Sequence, residues 1–534
     1  MQGLLVTLGA LLFLATSLYG FGGPFVYGHY GYHAGEYATR ARHTLRQGAL
    51  LPGNVPGSAA PVPGTYYLHH PIFTPQLVTL TFSAFGDRET SVRLAALLSA
   101  AATLLALTIL VGRLYGPWLG AASAVLSPLV PFNIWYGPHM DHGYPGLVFV
   151  LLALLCYGRW LERMEWRDGL RALGCIAAAG CFDWTPFLFA VPWGLHVLFV
   201  ALTRRGRSWR FLLGFVGAVL VPAAIHAAAV TAAHQWDDFL GAYHTRSAAM
   251  PLQGFAEVMG IYAKDLFGVP LLATAALGLL IALVRLVRGR GGQRSLALVS
   301  LAVAMGLHLA VFRVEVVTHA YRLIYLSPVV VLGTAEALAA VIAAGEWLRR
   351  PTAGRAGAAA LFAFVAVATV PVSWRGLLES RAHGGIPNWK TMDPNLPRTV
   401  LARVLRDRSR LGDRLYLHAS FPFRMDLAFY LDRDLVPATV HRVASLPPAE
   451  QARALFAFAP TSLTPTEREA VARLAEQHPL TRIGSYAIID LRSGAAPETA
   501  FTFAYAVPAH LGWWQRYWQG PYPWPALVRD EPSR

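Results

Sequence analysis

Long apolar runs separated by short polar connections dominate the first 375 residues of the chain. A spanning helix needs about 20 predominantly apolar residues. Runs of that kind are predicted at about 3–20, 91–112, 117–132, 144–160, 170–184, 186–202, 211–232, 266–286, 295–312, 322–345 and 356–375. That makes eleven spans. The first run lacks a basic lead and a small-residue cleavage site, so it reads as a retained helix. The stretch 71–85, PIFTPQLVTLTFSAF, is apolar but short and holds two prolines. It reads as a helix lying along the membrane surface. Residues 51–64 are rich in Pro and Gly and read as loop.

After residue 376 the pattern changes. Charge rises and linkers such as HGGIPNWKTMDPNLP appear. GDRLYLHAS and YAIIDLRS read as short strands, and 397–409 and 464–477 as amphipathic helices, the second with a Thr-Pro-Thr-Glu start. The expected fold is mainly α: a polytopic membrane protein with about eleven transmembrane helices and a C-terminal extracytoplasmic α/β domain. The expected units are a membrane module, 1–376, with an outer loop at 21–90, and a second domain, 377–534. Near the end, Trp513, Trp514, Trp518 and Trp524 cluster. They either anchor the domain at the membrane interface or cap its core. No internal repeat is visible.

Composition agrees with this pattern. Of 534 residues, 55% are hydrophobic and 14% charged, and mean hydropathy is +0.42. Soluble chains carry about 25% charged residues. The net charge of +15 comes mostly from arginine, and the arginines gather between apolar runs. That placement suits membrane orientation better than nucleic-acid binding. Arg113, the groups at 159–171, 204–210 and 285–294, and Arg349, Arg350 and Arg355 lie in alternate connections, predicted cytoplasmic. The N-terminus is then inside and everything beyond 376 outside. Cys156, Cys175 and Cys181 all fall inside apolar runs and read as small buried hydrophobes.

The remaining ionisable groups collect in the outward connections. The first holds His29, His33, Glu36, Arg40, Arg42, His43, Arg46, His69 and His70. The second, WYGPHMDHGYP, holds His139, Asp141 and His142. Later ones carry Asp237, Asp238, Arg246, Lys264, Arg313, Glu315, His319 and Arg322. A transporter concentrates such groups near the bilayer midplane and at broken helices. Here, apart from Asp183, they concentrate at the outer mouth, which suits an enzyme site. Each group also has a plainer reading. Glu36 and Arg40, four apart, pair on a solvated helix, or Glu36 serves as a general base. His69-His70-Pro71 is a helix entry or part of a site. Asp183 is a helix cap or a functional carboxylate. Arg246, Lys264, Arg313 and Arg322 bind a phosphate or lipid headgroups. The spacing of His139, Asp141 and His142 is loose for a metal; a divalent ion stays an open possibility, with no cofactor required.

The order of these features resembles the C-type glycosyltransferases, specifically the dolichyl-phosphate-mannose–protein mannosyltransferase-like family, which includes bacterial aminoarabinose transferases of lipid A. The matching positions are Gly35-Glu36, His70-Pro71-Ile72, Phe85-Gly86, Ser91-Val92-Arg93-Leu94, Arg113-Leu114-Tyr115-Gly116 and the segment HAYRLIYLSPVVVLGTAEAL. They lie within residues 1–345, and 71–94 is the most specific stretch. The resemblance implies a polyprenyl-phosphate-linked sugar as donor, a lipid, glycan or protein hydroxyl as acceptor, and membrane lipids as surroundings. It implies Glu36 and Asp141 as catalytic residues, and His29, His33, His69, His70, Arg93, Lys264, His319 and Arg322 as substrate-binding residues. Where the family has Asp, this chain has Gly35. Glu36 then acts alone or with Asp141, and His29 and His33 stand in for the missing carboxylate. A flippase of lipid-linked sugars and an inactive envelope scaffold are the rival readings. The excess of Arg over Lys points to a bacterial source, hence the cytoplasmic (inner) membrane.

Overall fold

In the computed structural model, the described residues are 2–25, 29–48, 51, 66–137, 139–141, 143–204, 207–382, 396–420, 425–496, 498–504 and 526–529. The tryptophan cluster at 513–524 and His142 fall outside them, as does the side chain of His29.

The protein is mostly helical and multi-pass. In chain order the helices are α1 (Gln2–Leu18), α2 (His29–Gln47), α3 (Phe73–Phe85), α4 (Glu89–Tyr115), α5 (Pro117–Leu129), α6 (Pro131–Tyr136), α7 (Gly143–Arg163), α8 (Trp166–Phe182), α9 (Thr185–Arg204), α10 (Arg207–Ala232), α11 (Trp236–Arg246), α12 (Leu252–Tyr262), α13 (Val269–Val287), α14 (Gly292–Val311), α15 (Arg313–Thr318), α16 (Leu326–Trp347) and α17 (Pro351–Ala382). Each of the eleven predicted spans falls on one of them. Among the described residues, eight helices are long and apolar enough to cross a membrane, and Gln2–Leu18 is a shorter apolar helix. Helices α5 and α8, of 13 and 17 residues, are shorter than a full crossing needs.

Local chemistry sets the boundaries. Gly116 adopts φ +99°, a left-handed value that ends α4, and Pro117 then occupies the first turn of α5. Small residues set the close packing between helices. A Cβ placed on Gly278 of α13 would lie 1.8 Å from the Gly333 carbonyl oxygen of α16, so only glycine permits that approach. At one end of the bundle Arg113 pairs with Glu162, and Arg204 Nη1 donates to the Leu161 carbonyl at 3.1 Å. The turns that follow α4, α7 and α9 thus meet.

The C-terminal part contains α18 (Leu396–Arg408), β1 (Arg414–Leu417), α19 (Met425–Leu431), β2 (Asp434–Pro437), α20 (Val440–Ala444), α21 (Pro448–Gln451), β3 (Ala454–Phe458), α22 (Pro465–Gln477), β4 (Leu480–Ile483), β5 (Tyr486–Asp490), β6 (Thr499–Ala504) and β7 (Ala526–Arg529). The strands form one mixed sheet in the order β2-β1-β3-β5-β4-β6-β7. Strands β2, β1 and β3 run parallel, with Leu415 level with Leu435 and Leu455. Thr464 caps α22 in a reciprocal capping box with Glu467.

Helix α2 is where the two parts meet. Every residue from Ala34 to Thr44 is buried. Tyr37, Ala38 and Ala41 share an apolar core with Val78, Phe82 and Val92 on one side and Leu405, Leu415, Phe429 and Leu455 on the other. Of the plainer reading, a pair on a solvated helix, the Glu36–Arg40 pair is present, but the helix is not solvated there, because α19 of the C-terminal part packs on it. Arg46 makes a two-pronged contact with Asp432, at 2.8 and 2.6 Å. Arg42 pairs with Asp87 and donates to the Phe429 carbonyl at 2.9 Å. Arg403 of α18 reaches Glu89 of α4 at 3.1 Å.

Candidate functional site

The turn before α3 is stitched to α10, to α11 and to the turn between α8 and α9. The Leu68 carbonyl lies 3.0 Å from His226 Nε2 of α10. The His69 carbonyl accepts from Trp184 Nε1 at 2.9 Å and from Arg246 Nη1 at 3.5 Å. The His69 ring meets Asp238 of α11 at 2.8 Å. Pro71 then leads into α3, so the segment is a helix entry and also fixes where His70 points.

His70 points at Arg322. Arg322 lies on the 3-10 turn Ala320–Tyr325 and is 3% exposed. Its Nη2 is 3.2 Å from His70 Nε2, its Nη1 donates to Asp183 Oδ1 at 3.2 Å, and its Nε pairs with Glu315 Oε1 at 2.9 Å. Asp183, 1% exposed, ends α8. It accepts from the Trp184 N–H at 2.8 Å and from the Tyr325 hydroxyl at 2.9 Å. It is a helix-end residue and the anchor of a buried network at once. A buried charge of this kind needs both pairing and hydrogen bonds to persist. Arg246 approaches Glu315 at 3.9 Å.

These groups form the polar end of a cavity of 580 Å³. Its other walls are apolar: Phe187, Leu188, Phe239, Leu240, Val311 and Phe312. A space with one ionic end and an apolar flank between helices suits an amphiphile whose head carries charge.

Glu36 lies in an adjoining cluster. It pairs with Arg40, and His33 Nδ1 is 3.7 Å away. Arg40 stacks on the Tyr67 ring at 3.5 Å, and Tyr67 in turn packs on His69 at 4.9 Å and His70 at 6.0 Å between ring centres. Tyr67 is therefore the bridge between the Glu36 cluster and the Arg322 network. The His33 ring also lies beside those of Tyr321 (5.0 Å), His139 (5.4 Å) and His319 (6.3 Å). Asp141 is buried in the same region. Burial first, and then the charge of Asp141, the neighbouring Tyr67 and the charge of Glu36, raise the Tyr37 hydroxyl well above its ordinary value. Both carboxylates thus act on one tyrosine. Burial, followed by Arg322 and Arg246, lowers His319 to about 4. His319 is therefore neutral at pH 7, a hydrogen-bonding group and not one of the cations.

The structure thus gathers Glu36, Asp141, His33, His69, His70, His319 and Arg322. Helix α2 carries His29 six residues before Gly35. Arg93 lies apart: its guanidinium donates to the carbonyls of Phe21, Gly23 and Pro24 at 2.6, 2.5 and 3.0 Å and clasps the chain between α1 and α2. Lys264 is exposed on the π-helical turn Ala263–Phe267 and does not line the cavity. Among the described residues, no group of three or more His, Cys, Asp or Glu side chains is arranged to hold a metal ion. Sequence reading passed over Tyr67, Tyr321, Tyr325 and His308. For His308 the signal was present, a histidine inside an apolar run.

Residues 69–230 match the family described as dolichyl-phosphate-mannose-protein mannosyltransferase. No curated protein sequence matches the chain significantly. Among solved structures, ArnT from Cupriavidus metallidurans bound to undecaprenyl phosphate is similar at 14% identity, with a TM-score of 0.61 over 92% of this chain and 98% of that one. The apo form gives 0.60 over the same shares. The archaeal oligosaccharyltransferase AglB from Archaeoglobus fulgidus, in complex with an inhibitory peptide and a dolichol-phosphate, gives 0.54 at 14% identity, over 88% of this chain and 68% of that one. The protein therefore has the membrane glycosyltransferase fold of ArnT and AglB.

Proposed function

We propose that the protein is an integral-membrane glycosyltransferase that moves a sugar from a polyprenyl-phosphate donor to a lipid, glycan or protein hydroxyl on the outer side of a bacterial cytoplasmic membrane. The observation that carries this reading is the cavity with its buried Arg322 network at one end and apolar walls along the other. Its shape and chemistry fit a phosphate attached to a long hydrocarbon. ArnT and AglB, which share the fold, were solved with undecaprenyl phosphate and dolichol-phosphate. In this reading the N-terminus is cytoplasmic, residues 1–376 form the catalytic module, and 377–534 form an extracytoplasmic unit that seats α2.

The placement of these groups supports the following chemistry. The acceptor hydroxyl attacks the anomeric carbon of the donor. Glu36 takes its proton, with Asp141 as the second carboxylate, and a positioned base of this kind contributes about 10²–10⁴-fold. The bond from that carbon to the phosphate oxygen breaks, and both its electrons leave with the phosphate. Arg322 and Arg246 hold the charge that develops there. Arg322 and its carboxylates are fixed beforehand, so little reorganisation accompanies the step. Arg93 and Lys264 take no part.

Cells depleted of the protein should accumulate one polyprenyl-phosphate-linked sugar, detectable by mass spectrometry of lipid extracts. The wild-type gene should clear it, and Glu36→Gln should not, although the variant inserts and folds. Clearance by Glu36→Gln would overturn the base assignment. Absence of any accumulating lipid-linked sugar would overturn the donor class.

A further inference from the structure

The cations at the polar end of the cavity are already engaged. Arg322 is held by Asp183, Glu315 and His70, and Arg246 faces Glu315. Two guanidinium groups stand against two carboxylates, so charge there is balanced before any ligand arrives. Among the described residues, Arg322 Nε lies beside Glu315 without a hydrogen bond, and one buried side chain in the wall has none at either of its polar atoms. His308, in the last turn of α14, lines the cavity and is 3% exposed. Neither Nδ1 nor Nε2 has a hydrogen-bond partner among the described residues. Nearly all buried polar side chains are satisfied, and one that is not needs a reason. Packing supplies only part of one, since the ring rests on Phe312 at 5.4 Å between centres. Phenylalanine or leucine would pack there without leaving two polar atoms unmatched.

We propose that His308 is a binding residue of the donor site. One ring N–H donates to an oxygen of the polyprenyl phosphate, and the other nitrogen is left to accept from a hydroxyl of the attached sugar. A neutral imidazole offers one donor and one acceptor, so it adds recognition without disturbing the charge balance of the arginine network. This inference rests on the donor reading above and deepens it by naming the contact that the arginines do not supply.

The test uses the full-length protein in lipid nanodiscs, with undecaprenyl phosphate as ligand and undecaprenol as the uncharged control. Binding is read by native mass spectrometry and folding by thermal unfolding. His308→Phe fills the same space and removes both nitrogens, and should weaken undecaprenyl phosphate binding about tenfold, the size expected for one hydrogen bond to a charged group. His308→Gln keeps a donor and an acceptor and should bind within about threefold of wild type. If His308→Phe binds as tightly as wild type, His308 is a packing residue and the inference fails. If the Phe variant does not fold, His308→Leu, which also lacks any donor or acceptor, takes its place, and equal affinity again overturns the proposal. If wild type holds undecaprenyl phosphate no better than undecaprenol, the donor reading itself is wrong.

Discussion

Two of the buried carboxylate–arginine networks in the helical part differ in what surrounds them. In one, Asp183 and Glu315 hold Arg322 beside a 580 Å³ cavity. In the other, Glu336 of α16, 0% exposed, pairs with Arg285 of α13 and lies 3.7 Å from Arg294 of α14. Glu336 sits ten residues beyond Leu326, the start of α16, about 15 Å along it at the usual rise. None of Glu336, Arg285 and Arg294 lines the cavity. The Arg322 network is spread over the starts and ends of helices and leaves His308 facing open space. The Glu336 network ties three helices together, with Glu336 Oε2 3.7 Å from Arg294 and without a hydrogen bond of its own among the described residues. A buried ion pair alone therefore does not mark a site; the cavity beside it is the difference between the two. Glu336 is also the deep polar residue that a transporter reading asks for, yet it is locked to its arginines.

The contrast can be broken by mutation. Glu336→Ala strands Arg285 in the bundle and should cost about 3 kcal/mol, the lower end for a broken buried pair, because Arg285 is part-exposed and can turn toward water. Thermal unfolding in detergent measures this, and transfer per folded molecule should not change. Arg322→Lys should do the reverse. It keeps the charge but loses the fork that meets Asp183, Glu315 and His70 together. Transfer should fall about 100-fold with insertion retained, as seen in a reconstituted assay. If Glu336→Ala abolishes transfer without unfolding, or Arg322→Lys leaves it intact, the two networks have been assigned the wrong way round. Thr464→Ala, which removes a cap far from either network, should cost about 1 kcal/mol in thermal unfolding and leave transfer unchanged.

The smallest effect belongs to the contact between α2 and the C-terminal domain. Burial raises Asp432, but the Arg46 hydrogen bond and the charges of Arg42, Arg46 and Arg433 outweigh it and hold its carboxyl below the ordinary value. With a folded pKa below the unfolded one of about 3.9, its contribution is fully present above that pH and is lost as pH falls through the folded value. Arg46 is 40% exposed, so the pair contributes at most about 1 kcal/mol. Asp432→Asn should remove that part of the acid sensitivity from the unfolding curve below pH 4.

Much of the helical architecture was legible because apolar runs of 17 residues and more need no partner to be recognised. The tail was harder. Arg414–Leu417 and Tyr486–Asp490 were visible as strands, whereas Ala454–Phe458 was not. All five of its residues are buried, so no alternation distinguishes it. The site was half legible. Glu36, Asp141, His70 and Arg322 stood out as ionisable groups in a greasy chain, and family likeness ordered them. Their environment did not stand out. Helix α2 is covered by residues some 360 to 420 positions later, and local spacing cannot report that. Arg93 illustrates the limit in the other direction. Its place in a matching motif suggested substrate, while its guanidinium is spent on three backbone carbonyls. Glu336 and His308 were legible in principle, since each is a polar residue inside an apolar run, but only their surroundings separate a closed pair from an open contact.

The most direct measurement is a cryo-EM structure of the protein in nanodiscs containing undecaprenyl phosphate. The account predicts phosphate density in the cavity, within hydrogen-bond reach of Arg322 or Arg246 and of His308, with the hydrocarbon leaving along the wall of Phe187, Leu188 and Val311. An empty cavity, or phosphate density beside Arg285 and Arg294 instead, would contradict it.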